Sequence, residues 1–599
     1  MMKVRKKLLV AVTSAVLGVA ALAGCSKAAD VDTESAAATA AASVSGSQTA
    51  AAVLAANKAD HVDGDQSGFT ESEVVDIALN GSSAKADGDG VTVNGSTVTI
   101  TAAGTYRLSG TLTDGQVVVT APDATVKLIL NGATISSSTT AAIAATDAEQ
   151  LTVILAAGSQ NTLTDAGSYA DDADVNAALF SSADLTVTGT GALTVHGKGN
   201  DAIASKDGLV IQSGTITVDA ADDGIRGKDY VVIDGGTITV TAGGDGLKAD
   251  NDTDADSGYL AITGGTVKVT AQGDGADAAT DLVVTGGKVA VTSGGSSDQK
   301  PSDDTSAKGL KSAVITVLEG GTITVDASDD AIHSDAAVHF TGAAVTVASG
   351  DDGVHAEGAL IVDGGTVDVT SSVEGLEGKD ITVNSGDVTV KSSDDGVNAS
   401  GSTGTTSGGG MQGGPGGGGG GESVGDYSVT IAGGTVVITS DGDGFDSNGT
   451  AKITGGTLVV NGPTMSGNGA LDVNGSFEIT GGTLVAAGSA GMVVAPDTNS
   501  AQGWLSATLD SAVQSGTTLQ VVDSDGKVVA TFVTSKTVQN VVFSSSAIKS
   551  GSQYKIYSGG TASGSSTGGL AASGSLGSAA AVATVTAGEA PAGGFGGHR

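Results

Sequence analysis

The fold is decided by a stretch that reads DGIRGKDYVVIDGGTITV, residues 223–240, and whose pattern returns throughout residues 200–482. Its acidic residue recurs at Asp201, Asp223 and Asp245, in steps of 22 residues, and the same step returns later in the chain. Repetition at a fixed step of this length is the signature of a solenoid, in which each copy forms one coil.

Each copy predicts two short strands that are apolar on one side. In the copy quoted above, Val231 and Ile233 precede the turn Gly235-Gly236, and Ile238 and Val240, separated by the more polar Thr239, follow it. A third apolar column follows the acid by two residues and contains Ile203, Ile225, Leu247, Leu310, Ile332, Val354, Leu376, Val397 and Phe445. One coil cannot bury three apolar sides, whereas coils stacked about 4.8 Å apart share a continuous core. We therefore predict an all-β chain that forms a right-handed parallel β-helix with about 22 residues per coil.

The composition divides the chain into five segments. Residues 1–25 have a basic start and an apolar run, which is typical of a secretory signal. The remaining predicted segments are a flexible Ala/Ser/Thr linker at 26–68, the β-helix at 69–490 with a Gly-rich loop at 401–425, a C-terminal β cap at 491–558, and a disordered Gly/Ala/Ser tail at 559–599.

The end of the apolar run, Leu22-Ala23-Gly24-Cys25, resembles the lipobox of bacterial lipoproteins. The resemblance implies cleavage before Cys25, lipidation of that residue, and an extracytoplasmic protein anchored to the bacterial cell membrane or cell surface. The alternative is an ordinary signal peptide followed by a chance cysteine. Because Cys25 is the only cysteine, an intramolecular disulfide and a cysteine-based metal site are both excluded. Acyl chains anchor a protein to one leaflet without making it span the membrane.

Several further motifs carry a resemblance to a known family. They are the run GTYRLSGTLTDGQV at residues 104–117, VKLILNG at 126–132, LTD at 163–165, and the repeat that contains DDGIRGKD at 222–229. Together they resemble bacterial carbohydrate-binding domain-containing surface proteins. The resemblance covers about residues 69–560 and implies a polysaccharide-lyase-like β-helix that binds Ca²⁺ and plant cell-wall polysaccharides, including cellulose and acidic pectic polymers. It transfers no catalytic residue.

The charge of the chain restricts its partners. The formal net charge of −39 leaves no basic stripe for phosphates, which excludes a nucleic-acid partner. We expect a monomer that binds polysaccharide and meets the membrane only through its lipid anchor.

The repeated acids predict a cation site. Equivalent carboxylates of stacked coils lie about 4.8 Å apart, where two unit charges repel by roughly 1 kcal/mol in water and several times more in a less polar setting. A Ca²⁺ ion accepts six to eight oxygen ligands and would relieve this repulsion. The candidate metal ligands are Asp201, Asp222, Asp223, Asp245, Asp329, Asp330, Asp351, Asp352, Asp394, Asp395, Asp441 and Asp443. The best site is the pair Asp329/Asp330 stacked on Asp351/Asp352. The alternative is that Asp before Gly serves only turn chemistry.

An outward column three residues after the acid offers contacts to sugar. It contains Arg226, Lys248, Lys311, His333 and His355, which we predict to bind substrate. The alternative is a solvated face whose cations offset neighbouring acids. A pectate-type lyase would need a base near Ca²⁺, for which Arg226, Lys228 and Lys248 are the candidates. We expect a binding protein without catalytic residues; the same pattern leaves open such a lyase, or a structural surface adhesin or spacer.

Overall fold

The computed structural model describes residues 41, 44–62, 64–170, 172–299, 306–401 and 424–590. The predicted signal segment with Cys25 and most of the Gly-rich loop therefore lie outside the described residues. The α-helix at Ala50–Ala56 has seven residues, and none of the helical segments in the described part meets the length and hydropathy that a membrane span needs.

The described chain begins with a short helical stretch and continues almost entirely as strands. The helical segments are α1 (Ala50–Ala56) and a 3-10 turn at Glu71–Glu73. The first strands are β1 (Val74–Gly81), β2 (Ala84–Ala86), β3 (Val91–Asn94), β4 (Thr97–Ile100), β5 (Gly104–Leu112), β6 (Gln116–Thr120), β7 (Thr125–Ser136), β8 (Ile143–Asp147), β9 (Gln150–Leu155), β10 (Gln160–Thr164), β11 (Ala177–Ser181), β12 (Asp184–Gly189) and β13 (Ala192–Gly197).

The regular repeats supply the next strands. They are β14 (Asp201–Ser205), β15 (Gly208–Ile211), β16 (Thr215–Ala220), β17 (Ile225–Gly227), β18 (Tyr230–Ile233), β19 (Thr237–Ala242), β20 (Leu247–Ala249), β21 (Tyr259–Ile262), β22 (Thr266–Ala271), β23 (Ala276–Ala278), β24 (Asp281–Val284), β25 (Lys288–Ser293), β26 (Leu310–Ser312), β27 (Ile315–Leu318), β28 (Thr322–Ala327), β29 (Ile332–Ser334), β30 (Ala337–Phe340) and β31 (Ala344–Ser349).

The later coils and the C-terminal part complete the structure. Their strands are β32 (Val354–Val362), β33 (Thr366–Ser371), β34 (Leu376–Val383), β35 (Asp387–Ser392), β36 (Val397–Ala399), β37 (Ser428–Ile431), β38 (Thr435–Ser440), β39 (Phe445–Ser447), β40 (Thr450–Ile453), β41 (Thr457–Asn461), β42 (Leu471–Val473), β43 (Phe477–Ile479), β44 (Thr483–Gly488), β45 (Trp504–Val513), β46 (Thr518–Val522), β47 (Val528–Val533), β48 (Val538–Ser544), β49 (Gln553–Ser558), β50 (Thr561–Thr567), β51 (Leu570–Ser575) and β52 (Ala580–Thr586).

The strands of the repeats pair in parallel with the third strand before and after them, which produces three stacks. Face 1 contains β14, β17, β20, β23, β26, β29, the start of β32 and β34, β36, β39 and β42. Face 2 contains β15, β18, β21, β24, β27, β30, the end of β32 and β34, β37, β40 and β43. Face 3 contains β13, β16, β19, β22, β25, β28, β31, β33, β35, β38, β41 and β44. This long, parallel-dominated sheet is consistent with the predicted solenoid and confirms the nearly all-β class. The right-handed sense stays a prediction.

The apolar column of face 1 stacks in register through the core. Ile203 pairs with Ile225, and Ile225 pairs with Leu247, so partners on these neighbouring coils are 22 residues apart. The same register continues to Val397, Phe445 and later residues, all of which are buried. Stacked aliphatic side chains therefore supply the core that no single coil can form.

The repeated Gly-Gly pair has a conformational reason. Gly236 has φ = +90°, in the left-handed region that favours glycine, and a side chain there would collide with the backbone of Gly214 on the preceding coil. The Gly-Gly turn therefore both directs the chain from face 2 to face 3 and permits close coil stacking.

The end of the chain departs from the predicted disordered tail. Within residues 559–590, strands β50, β51 and β52 pair antiparallel in a second sheet with β46, β47 and β49, so the prediction is wrong for this part. The residues there are small and polar, but the open edges of β47 and β49 supply backbone hydrogen-bond partners that composition does not reveal. Strands β45 and β48 join the last coil, since β48 pairs antiparallel with β44.

The predicted flexible linker also departs from expectation. Residues 44–62 and 64–68 lie along face 2, where Ala50 and Val53 of α1 pack on Val283, Val314 and Val317. The segment is ordered there because the outward side of face 2 is itself apolar and gains burial from a cover. We call residues 44–68 the N-terminal strap.

Candidate functional site on face 1

A continuous column of polar side chains follows the outward side of face 1. Its members pair in parallel register from coil to coil, and they are Arg226, Lys248, Asp277, Lys311, His333, His355, Glu377, Asn398, Asp446 and Asp472. We call this set the polar column. The structure thus brings the five predicted substrate-binding residues into one line, as the repeat register requires.

The acids at the start of the strands of face 1 join neighbouring coils. Asp223 N–H donates to Asp201 Oδ1 at 3.3 Å, Asp245 N–H donates to Asp223 Oδ1 at 2.9 Å, and Asp274 N–H donates to Asp245 Oδ1 at 2.7 Å. Asp443 N–H donates to Asp395 Oδ1 at 2.6 Å in the same way. One oxygen of each accepting carboxylate therefore accepts a backbone hydrogen bond from the next coil. This bond explains why an acid recurs at the same position of the repeat.

The cations of the polar column lie beside the remaining carboxylate oxygens. Lys248 Nζ contacts Asp245 Oδ2 and lies 3.5 Å from Asp223 Oδ2. Arg226 pairs with Asp250 and lies 3.3 Å from the fully buried Asp201. Asp201, Asp223 and Asp245 are predicted metal ligands, so protein side chains neutralise part of the predicted cation site.

Lys311 repeats this arrangement two coils later. Its Nζ lies 3.1 Å from Asp274 and 3.2 Å from Asp277. The side chain is 30% exposed, so donor capacity remains toward solvent.

Burial and the charged neighbours shift the pKa values of these side chains. Burial by itself lowers the pKa of Lys248, but the hydrogen bond to Asp245 and the charge of Asp223 outweigh it and raise that pKa. Burial, followed by the charge of Asp223, raises the pKa of Asp201 to about 7, although Arg226 opposes this shift. A lysine kept as a cation is a poor general base, which counts against Lys248 in the lyase alternative. Lys228, the third candidate, is exposed beyond the end of β17.

The predicted best metal site contains a lysine. Lys308 Nζ lies 3.0 Å from Asp329 Oδ1 and 2.9 Å from Asp330 Oδ2. Asp329, Asp330 and Asp351 each place one oxygen within 4.8 Å of the others, so three of the four predicted ligands do converge. Lys308 stands where other coils have an acid, and the register could have identified it as a partner of these carboxylates.

The two histidines of the polar column contact acids as well. His333 Nδ1 lies 2.8 Å from Asp330 Oδ2, and His355 Nδ1 lies 2.9 Å from Asp352 Oδ2. His355 Nδ1 is also 2.9 Å from Glu377 Oε2, a carboxylate that was not predicted as part of the site.

The last coils of face 1 have acids without a cation. Among the described residues, no Lys, Arg or His side chain pairs with Glu374, Asp395 or Asp446 within 4.0 Å. Burial, and then the charge of Asp472, raises the pKa of Asp446 to about 8, while burial and neighbouring acids raise those of Asp395 and Glu374 to about 7. Asn398, 7% exposed, lies between them; its amide donates to Glu374, and its Oδ1 is buried without a partner among described atoms.

The remaining predicted ligands lie at the edge of this region. Asp222 and Asp394 are exposed, and Asp441 pairs with Lys536 from the C-terminal part at 2.7 Å. Sequence reasoning did not assign Asp250, Glu377, Asn398 or Asp446 to the site. The repeat register could have identified Glu377, Asn398 and Asp446, since they occupy the same position of the repeat as Arg226.

Comparisons with known proteins agree on the kind of domain. Residues 94–353 match the family model described as carbohydrate-binding domain-containing protein. A curated protein of the same description from Acetivibrio thermocellus is 38% identical over 137 residues, which is 22% of this chain and 48% of that protein. The chain thus spans about half the length of this relative.

A solved structure also matches part of the chain. It is the polysaccharide lyase-like protein from C. thermocellum, studied as a gadolinium derivative, with 37% sequence identity. The match covers 37% of this chain and 92% of that protein, with a TM-score of 0.35.

Proposed function

We propose that this chain, which matches the carbohydrate-binding domain-containing family along residues 94–353, binds polysaccharide on face 1 along the polar column. The observation that carries the proposal is the unbroken register of that column. Parallel strands repeat about every 4.8 Å, so a glycan lying across the coils would meet a new hydrogen-bonding side chain at each step. Face 2 is less suitable because the N-terminal strap covers it.

The balance of charge on the column favours neutral sugar over a polyuronate. Arg226, Lys248 and Lys311 already contact carboxylates, and each cation contacts two of them. With a chain charge of −39, an acidic glycan meets net repulsion unless a cation bridges the two. Cellulose-like polymers are therefore the proposed ligands in the absence of divalent ions, and pectate-like polymers require Ca²⁺.

We also propose that Ca²⁺ binds at the last coils of face 1. Glu374, Asp395 and Asp443 lie close enough to Asp446 for their charges to raise its pKa, and the amide oxygen of Asn398 is buried without a partner among described atoms. Oxygen ligands of this kind suit Ca²⁺. The raised pKa values of Asp395 and Asp446 support the assignment, since they reflect negative charge crowded in a buried setting. We therefore propose the Ca²⁺ site at the last coils of face 1, in place of the site at Asp329/Asp330 that the sequence predicts.

The lipid anchor at Cys25 and the extracytoplasmic location are proposed from the sequence motif. They are tested by labelling producing cells with a radioactive fatty acid, with Cys25→Ser as the control. Label on the native chain and none on the variant supports the anchor; equal label on both rejects it.

Binding is tested with the purified full chain, stripped of divalent ions, on cellulose and on pectate with and without Ca²⁺. Lys311→Gln removes a cation of the polar column, while Lys268→Gln removes one from face 3 and serves as the matched control. We expect retention that weakens several-fold in the first variant only, and pectate retention only with Ca²⁺. Equal loss in both variants, or no retention, rejects the assignment. Absorbance near 235 nm, followed in parallel, would rise if the chain were a lyase.

A further inference from the structure

At two neighbouring coils the polar column contains imidazoles in place of the lysine and arginine found in earlier coils. His333 on β29 and His355 on β32 occupy paired positions in the parallel register. Their rings stack with centroids 5.0 Å apart and an interplanar angle of 26°. Both side chains are mostly buried, at 12% and 16% exposure, so they are held in place and partly shielded from water.

Carboxylates surround the Nδ1 side of both rings. Asp330, His333 and His355 each place one ligand atom within 4.8 Å of the other two, and Asp352, His355 and Glu377 do the same. The closest pairs are His333 Nδ1 with Asp330 Oδ2 at 2.8 Å and His355 Nδ1 with Glu377 Oε2 at 2.9 Å. Two nitrogens and three carboxylates thus meet across three successive coils.

The other nitrogen of each ring faces an outer carboxylate. His333 Nε2 lies 3.1 Å from Asp335 Oδ1, and His355 Nε2 lies 3.6 Å from Glu357 Oε1. Histidines that bind metals commonly hold their second nitrogen against a carboxylate, which fixes the ring orientation and makes the ligating nitrogen more basic. Each outer acid follows its histidine by two residues, so the strand places it on the same outward side.

We propose that His333 and His355, with two of the carboxylates of Asp330, Asp352 and Glu377, form a four-coordinate binding site for a divalent transition-metal ion, with Zn²⁺ as the best match. Imidazole nitrogen suits Zn²⁺ and its first-row neighbours, whereas Ca²⁺ takes oxygen ligands. On binding, the ion would replace the protons that lie between the imidazole nitrogens and the carboxylate oxygens. The site takes His333, His355 and Glu377 from the polar column and therefore lies within the proposed sugar-binding face, while it is distinct from the all-oxygen cluster of the last coils.

Metal binding requires the side chains to move, because the ligand atoms of each triad lie within 4.8 Å of one another and not yet at bonding positions around one ion. Tetrahedral Zn²⁺ with bonds of about 2.0–2.2 Å needs ligand atoms roughly 3.3–3.5 Å apart, slightly more than the present nitrogen–oxygen contacts. Lys308 shares Asp330 Oδ2 at 2.9 Å but keeps Asp329 as a second partner, so Asp330 can turn toward the ion. Lys308→Gln is therefore expected to strengthen metal binding.

The test uses the full chain, freed of metals by a chelator, with ZnCl₂ and CaCl₂ as separate titrants in calorimetry. His333→Ala and His355→Ala remove nitrogen ligands. His196→Ala is the matched control, because His196 is also outward-facing and lies 3.6 Å from a single acid, Asp219, on face 3. We expect one Zn²⁺ site whose affinity falls at least 100-fold in each of the first two variants and stays unchanged in the control.

Two further measurements separate a specific site from general attraction to acids. Co²⁺ in place of Zn²⁺ should give the visible absorption of a tetrahedral nitrogen–oxygen site in the native chain, and His333→Ala should abolish it. Asp335→Asn and Glu357→Gln should weaken Zn²⁺ binding about 10- to 100-fold by releasing the rings. Zn²⁺ affinity that survives the double His333→Ala/His355→Ala change, or that millimolar Ca²⁺ removes, overturns the proposal. Circular dichroism of each variant verifies that the β-structure is intact.

Discussion

The side-chain amide of Asn57 donates a 2.7 Å hydrogen bond to Asp281 Oδ2, and this bond joins the N-terminal strap to a strand of face 2 that lies 224 residues later in the chain. Asn57 Nδ2 also donates to Val53 O within the strap. Both side chains are buried, at 8% exposure each. The amide oxygen of Asn57 and the second carboxylate oxygen of Asp281 (Oδ1 in each case) are buried without a partner among the described residues, so a proton on Asp281 would reduce the cost of burying this pair.

The first prediction concerns the pH dependence of strap docking. Burial raises the pKa of Asp281 to about 6, against the opposing effect of the Asn57 hydrogen bond. The docked state therefore binds the proton more tightly than an undocked strap, whose Asp281 has an ordinary carboxyl pKa. This contribution to docking is fully present below about pH 4 and is lost as the pH rises through about 6, with a limit of about 3 kcal/mol.

Hydrogen exchange of the Val53 amide, which donates to Thr49 O, measures docking as the pH changes. Asp281→Asn cannot titrate and should flatten the dependence between about pH 4 and 6.5. An identical slope for the native chain and the variant would contradict the prediction.

The second prediction concerns the apolar contact of the strap. Val53→Asp places a charge against Val283 and Val317 and should release residues 44–68, because a buried unpaired carboxylate is strongly unfavourable. The measurements are limited proteolysis of the strap and binding of a hydrophobic dye to the uncovered side of face 2. Ala55→Asp is the matched control, since Ala55 is exposed on the same helix. Equal protection in both variants would argue that the strap is held by polar contacts alone.

The sequence predicts the register of face 1 well because the repeat itself specifies it. Residues at the same position of successive copies must stack, so Arg226, Lys248 and His333 fall into one column without any knowledge of their partners. Their partners depend on side-chain directions and on loops between the copies. Asp250, for example, follows β20 and reaches Arg226 on the preceding coil, which spacing alone does not reveal.

The sequence contains a sign that face 2 is covered, and the search for alternating apolar and polar residues did not use it. Tyr230, Val232 and Val283 point away from the core and yet are apolar and buried. Parallel strands that are apolar at nearly every position are covered on both sides. The identity of the cover was not predictable, because residues 44–68 have few apolar side chains and gain order only from the surface they meet.

The third prediction concerns the pairing of a fully buried acid. Arg226→Met leaves Asp201 without its cation, which should cost about 2–4 kcal/mol of local stability, less than a fully buried pair because Arg226 is 25% exposed. Hydrogen exchange at the amide of Ile203 measures the loss. Adding Asp201→Asn to this variant removes the charge and should restore most of the stability. If the double variant is no more stable than Arg226→Met, the cost arises from lost packing.

The fourth prediction concerns the proposed Ca²⁺ cluster. Ca²⁺ at 100 times its dissociation constant should stabilise the native chain by about 2.7 kcal/mol, since it binds only the folded coils. Asp446→Asn removes one buried carboxylate and should abolish this shift in thermal unfolding. Asp387→Asn, at an exposed position of β35 on face 3, is the matched control. A Ca²⁺ shift that persists in the Asp446 variant, or disappears in both, would place the ion elsewhere.

The fifth prediction concerns the aromatic pair in the core of the last coils. Phe445 is fully buried and packs on Phe477 with ring centroids 6.2 Å apart, while its register neighbours Val397 and Leu471 are smaller. Phe445→Ala therefore leaves a cavity that these neighbours cannot fill, at a cost of about 3–5 kcal/mol. Phe69→Ala, at a residue that is 42% exposed, should change stability little.

In a solenoid each coil contacts only its neighbours, so the damage should stay near that position. Hydrogen exchange should show faster opening around β36, β39 and β42, and unchanged protection at Ile225 and Leu247, which lie several coils away along the stack. Uniform loss of protection along the chain would instead mean that the coils unfold as one cooperative unit, and the nearest-neighbour description of this β-structure would be wrong.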